Sequence, residues 1–122
     1  MTAPNPPTPD LSNRARGRWG EDLAARHYRR LGYEVLDRTW RSATGELDLV
    51  VVNGSTYVFS EVKARRTAEF GPASAAVTVA KQRRIRQLAV EWLRAHDVHA
   101  HSIRFDVVAI TGTDLELITD AF

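Results

Sequence analysis

There is no cysteine among the 122 residues, which excludes disulfides and thiolate metal sites and suits a cytoplasmic location. Long apolar runs are missing too. Nothing approaches the roughly 20 consecutive apolar residues of a membrane helix, so no membrane association is expected. Proline is concentrated in one place: four of the five lie within the first ten residues. That stretch lacks both the basic start and the apolar centre of a signal peptide. It reads as a disordered Pro-rich tail over residues 1–12, with residues 13–122 forming a single domain. Internal repeats are absent. Lysine is nearly so: of 17 basic residues, 15 are arginine, leaving Lys63 and Lys81. Lysine is a compact point charge whose pKa moves on burial, whereas arginine stays charged. The skew therefore draws attention to Lys63 first and Lys81 second.

What remains is an ordinary globular composition, 43% apolar and 26% charged, in a chain long enough for one core. The net charge of +2 is unevenly spread. Between Lys63 and Arg104 there are nine basic residues and three acids. Such a segment is either a solvated basic face or a surface for a polyanion.

A helix is predicted over Asn13–Leu31, closed by Gly32. Gly17, Gly20, Leu23, Ala24, His27, Tyr28 and Leu31 share one arc of it, and the two glycines imply a close neighbour. Glu21 lies at the edge of that arc. Strands are predicted at Tyr33–Arg38, Glu46–Val52 and Thr56–Lys63, the last two joined by an Asn53-Gly54 hairpin turn. A polar loop over 64–73 leads to a second helix over Ser74–Ala95 with Ile85, Leu88, Ala89, Trp92 and Leu93 inward. Strands at Ile103–Ile110 and Leu115–Thr119 complete an α-β-β-β-α-β(-β) order. That order describes an α/β sandwich around a mixed sheet, because the second helix permits a parallel crossover.

Within these strands Asp48, Glu61 and Lys63 interrupt apolar runs, at a cost of several kcal/mol per unpaired buried ion. Alternation puts Glu46 and Asp48 on one face and Leu47 and Leu49 on the other. Tyr57, Phe59, Glu61 and Lys63 likewise share a face. A two-residue turn sets Asp48 diagonal to Glu61, and a four-residue turn over Asn53–Thr56 sets the two directly opposite. Either spacing allows the carboxylates to share one ion. Lys63 pairing Glu61 is the structural alternative. Oxygen-only ligands otherwise suit Mg²⁺ or Mn²⁺, which polarise phosphodiesters and acidify bound water.

Asp48, a twelve-residue gap and Glu61-x-Lys63 resemble the PD-(D/E)xK nuclease superfamily, with Leu47 in place of the proline. The chain is more closely similar to the YraN-like family. The likeness is carried by Gly17-x-x-Gly20-Glu21-x-x-Ala24, Arg38-Thr39-Trp40-Arg41, Gly45-Glu46-Leu47-Asp48-Leu49-Val50, Phe59-Ser60-Glu61-Val62-Lys63-x-Arg65, Ala76-Val77, Lys81-x-x-Arg84 and Arg104-Phe105-Asp106-Val107-Val108. Thr39 stands where that family usually has Asn, and Ser60 where it usually has an apolar residue. The resemblance implies a restriction-endonuclease-like core similar to archaeal Holliday-junction resolvases, and brings no settled activity. It implies that Asp48 and Glu61 are metal ligands and Lys63 the catalytic lysine. Glu21 would ligate through water, and Glu46, on the same face as Asp48, is a substitute ligand.

Lys81, inward on the second helix, either pairs a carboxylate or reaches toward phosphate. Arg65, Arg66 and Arg84 would hold a nucleic-acid backbone. Trp40 is a core aromatic or a stacking platform, Trp92 is core, and Asp106 a structural hydrogen-bond partner. His96-x-x-His99-x-His101 is a weak zinc pattern. The expected function is that of a metal-dependent nuclease acting on DNA, with branched DNA in repair or recombination as substrate, in a monomer or homodimer. The alternatives are a nucleic-acid-binding module without cleavage and a scaffold protein.

Overall fold

The computed structural model describes residues 9–66 and 77–122, with side chains from Ala15 onward. The elements are α1 (Pro9–Arg30), β1 (Glu34–Ser42), β2 (Gly45–Asn53), β3 (Thr56–Arg65), α2 (Val79–Ala95), β4 (Ser102–Thr111) and β5 (Asp114–Ile118). They form a five-stranded sheet in the order β1-β2-β3-β4-β5. Only β3 and β4 pair in parallel; the other neighbours are antiparallel. The mixed sheet follows from the loop lengths. Short turns join antiparallel neighbours, and α2 supplies the crossover that a parallel pair requires.

Each helix covers one face. Ala24, Ala25 and Tyr28 of α1 pack with Leu49, Val51, Val58, Val108 and Ile110. Ile85, Leu88, Ala89 and Trp92 of α2 pack with Leu47, Val50, Phe59, Phe105 and Val107. The inward stripe expected for α2 is thus realised, with Leu93 at its margin. In α1 the stripe needs correction. Gly20 is the close contact: a Cβ there would lie 2.9 Å from the Ala64 Cβ of β3. Gly17 faces open space, and Leu31 is 51% exposed, because the chain leaves the helix there through Gly32 at φ +92°. The Tyr33 N–H reaches back to the Tyr28 carbonyl at 3.0 Å, closing the last turn.

Other boundaries also differ from expectation. α1 starts at Pro9, inside the stretch read as tail; proline suits a first helical position because its missing N–H would be unpaired there anyway. α2 starts at Val79 rather than Ser74. Thr78 is its N-cap, accepting from the Lys81 N–H at 3.1 Å, and it competes with helix for the preceding backbone. The expected loop's Gly71-Pro72 and residues 74–76 lie outside the described residues. No described helix is long and apolar enough to cross a membrane.

Candidate active site

The β2–β3 ladder runs from Asn53↔Thr56 to Leu49↔Ser60, which is the register of the four-residue turn. One step further along that register stand Asp48 and Glu61. Here side chains replace the backbone ladder. The Val62 N–H donates to Asp48 Oδ2 at 2.9 Å, and Asp48 shares a hydrogen bond with Glu61. Burial, and then the charge of Glu61, push the Asp48 carboxyl from 3.8 up to about 8. Two carboxyls in contact and largely screened from water cannot both ionise cheaply, so at neutral pH Asp48 keeps its proton. Glu61 itself is only 6% exposed.

Both lysines converge on this pair. The salt bridge to Glu61 comes from Lys81 of α2, with Nζ 3.1 Å from Oε1. Lys81 thereby takes the pairing role, and the sequence alternative of a Lys63–Glu61 pair is replaced by a bond across the sheet–helix interface. Burial opposes the charge on Lys81, but the Glu61 carboxylate outweighs it and raises the pKa. Lys63 moves the opposite way. Burial, then the Lys81 charge, lower its pKa, and the two amines hydrogen-bond. Two ammonium groups in contact repel, which favours proton loss from Lys63, while the Glu61 carboxylate holds the proton on Lys81.

The remaining acids stand apart. Glu21 accepts from Thr39 Oγ1 at 2.9 Å, and burial raises its pKa. Glu46 is held by Arg41 Nε at 2.7 Å. Together with Gly17, Arg18, Thr39 and Arg41 they line a cleft of about 620 Å³. Among the described residues, no group of three or more His, Asp or Glu side chains is assembled for a metal. The donor chemistry nonetheless fits a hard divalent cation. Mg²⁺ is commonly held by one or two carboxylates with water and substrate phosphate completing the shell. A carboxyl driven up to about 8 by burial and then by its neighbour marks a charge conflict that a cation relieves.

Simple alternation fails in β2. Leu49 packs on the α1 side and Leu47 on the α2 side, so the expectation that they share a face is incorrect. The switch occurs at Asp48. In the neighbouring strand, between the pairs Arg38↔Leu49 and Trp40↔Leu47, Thr39 adopts φ +52°, a conformation costly for a β-branched residue.

Asp106 is a structural acid, as expected. It is fully buried and takes both Arg104 Nε and Nη2 at 2.8 Å, the Tyr28 hydroxyl at 2.8 Å and the Asp120 N–H at 3.0 Å. Tyr28 also accepts from Ser60 Oγ at 2.9 Å, which explains a hydroxyl at an otherwise apolar position. Trp92 is core, its Nε1 donating to Asp37 Oδ2 at 3.0 Å. Trp40 packs against the same cluster. His96 stacks on Trp92 with centroids 4.1 Å apart, while His99 and His101 are exposed.

Of the other basic candidates, Arg84 is exposed and its stem lies over Gly45, where a Cβ would come within 3.2 Å of Cδ. Arg65 and Arg66 line a separate cavity with Ala15, Arg16, Trp19 and Gly112. Trp19 escaped the sequence reading. The available signal was a tryptophan lying off the apolar arc of α1.

Two helices clasping a mixed five-stranded sheet in α-β-β-β-α-β order define a domain of the restriction-endonuclease-like type. More narrowly, the chain belongs to uncharacterised protein family UPF0102, whose family model matches residues 20–110, in agreement with the YraN-like motifs. It is 50% identical over 115 residues to a UPF0102 protein of Rhodococcus opacus, covering 90% of this chain and 98% of that one. A UPF0102 protein of Frankia casuarinae is 50% identical over 97 residues, 80% of this chain and 82% of its own length. One from Geobacter sulfurreducens is 45% identical over 115 residues, 90% of each.

Proposed function

We propose that this protein is a Mg²⁺- or Mn²⁺-dependent nuclease acting on DNA, with branched DNA of repair or recombination as its substrate. The observation that carries this reading is the contact of half-buried Asp48 with buried Glu61, with Lys63 two residues further along β3. Asp48 and Glu61 would hold the cation, with Glu21 contributing through water and Glu46 in reserve. A cation so held polarises a phosphodiester and lowers the pKa of bound water. Lys63, its pKa depressed by burial and by Lys81, is suited to accept or orient the proton of the attacking water. Lys81 fixes the Glu61 carboxylate, and Arg65, Arg66 and Arg84 supply positive charge for the backbone.

A second reading is a nucleic-acid-binding module on the same scaffold that does not cleave. It is favoured by the salt bridge through which Lys81 already neutralises Glu61. Incubation of junction and flap DNA with Mn²⁺ separates the two. The nuclease reading expects cleavage that falls about 10²- to 10⁴-fold in Lys63→Ala while DNA affinity is kept. Salt-sensitive binding without cleavage supports the module. Neither binding nor cleavage overturns both.

A further inference from the structure

The cavity lined by Ala15, Arg16, Trp19, Arg65, Arg66 and Gly112 has a volume of about 400 Å³, within the range of small-ligand sites. Its described lining carries three arginines and no carboxylate. Two further features distinguish it from a solvated basic face. Among the described residues, Nε and Nη2 of Arg65 are buried with no hydrogen-bond partner, a costly state for a guanidinium unless an acceptor arrives. Trp19, beside it, is 42% exposed, although a large aromatic on a helix flanked by the sheet has apolar surface available to it. An unsatisfied planar donor fork and an uncovered aromatic face, opening into one cavity, match the two halves of a nucleotide. The fork suits a phosphate, and the ring suits a base.

We infer that this cavity is a subsite for one unpaired nucleotide, with its phosphate on Arg65 and its base stacked on Trp19. The inference rests on the nucleic-acid reading above and sharpens it, because a base can meet Trp19 only when it has left a duplex stack. Arg65 lies two residues beyond Lys63 on β3, about 6.6 Å of strand. Glu61 lies four residues before Arg65, about 13 Å of strand, so the subsite stands further along β3 from the acid pair. The substrate class it selects is a strand with an unpaired nucleotide beside the reacting phosphodiester, as at a flap or an open junction.

The test is fluorescence and anisotropy titration of the whole chain with four probes of equal length: oligo-dT, oligo-U, an abasic oligodeoxynucleotide and blunt duplex. The subsite expects oligo-dT or oligo-U to quench tryptophan emission and to bind more tightly than the abasic strand, the tighter of the two identifying the sugar. Trp19→Ala should weaken binding of the preferred oligonucleotide by about 10- to 100-fold and leave the abasic strand unchanged. Arg65→Gln should weaken both strands and reduce the dependence of log K on log salt by about 0.7. Arg65→Lys, which keeps the charge without the fork, should restore the salt dependence but not the affinity. If Trp19→Ala discriminates between base-bearing and abasic strands as the wild type does, the subsite is overturned even where Asp48-dependent cleavage persists. If the wild type binds none of the probes, the nucleic-acid reading falls and the subsite with it.

Discussion

Asp106 is fully buried and Asp48 half-buried within one small sheet, yet they are treated in opposite ways. Asp106 receives four donated hydrogen bonds, two of them from Arg104, and that arrangement drives the Arg104 pKa upward. Asp48 receives one backbone N–H and otherwise confronts Glu61; burial, and then that neighbouring charge, drive the Asp48 pKa upward. A fold able to satisfy one buried acid so fully has left the other in conflict. The first arrangement serves stability. The second withholds stability in a place where a cation or substrate can supply it.

The comparison breaks most visibly at Asp106. Asp106→Ala leaves the partly buried Arg104 and the buried Tyr28 hydroxyl without this acceptor and should cost about 3–5 kcal/mol, measured by urea denaturation. Asp48→Asn should have the opposite sign. Asp48 keeps its proton to about pH 8 in the fold but only to 3.8 in the unfolded chain, so the native state binds the extra proton between those values. Stability from this group is therefore highest at acid pH and declines as pH climbs from about 4 to about 8. Asparagine retains an acceptor for the Val62 N–H and cannot ionise. The variant should match the wild type near pH 4 and exceed it by a few kcal/mol near pH 8; a pH series of denaturation curves checks this. The smallest effect sharpens the contrast through the backbone. Asp120, beside Asp106, and Thr39, beside Asp48, both adopt positive φ, +53° and +52°. Aspartate tolerates this conformation and threonine does not. Thr39→Asn should stabilise by about 0.5–1 kcal/mol, read as a rise in melting temperature.

Local signals carried much of this into the sequence. Asn53-Gly54 announced the hairpin, and period-two alternation along β3 put Glu61 and Lys63 together on the side of Phe59. The apolar stripe of α2 was legible for the same reason, since its period is set by the helix itself. What escaped depends on contacts distant in sequence. Lys81, rather than Lys63, reaches Glu61 because α2 lies across that face of the sheet, which no spacing rule encodes. The turnover of faces between Leu47 and Leu49 accompanies the left-handed Thr39 of another strand. Gly17 and Gly20 looked equivalent on a helical wheel, but only Gly20 meets Ala64. The cavity between Trp19 and Arg65 joins residues 46 positions apart.

Along β3, Val62 and Ala64 pack toward α1, while Phe59 packs toward α2 and Glu61 bonds to Lys81 on that side. Sliding this strand by one position would exchange the two sets, thrusting Glu61 and Lys63 into the aliphatic layer. Correct threading of the central strand and assembly of the charged quartet are consequently a single event. A chain that has buried its oily residues properly has, by that act alone, brought its reactive groups together.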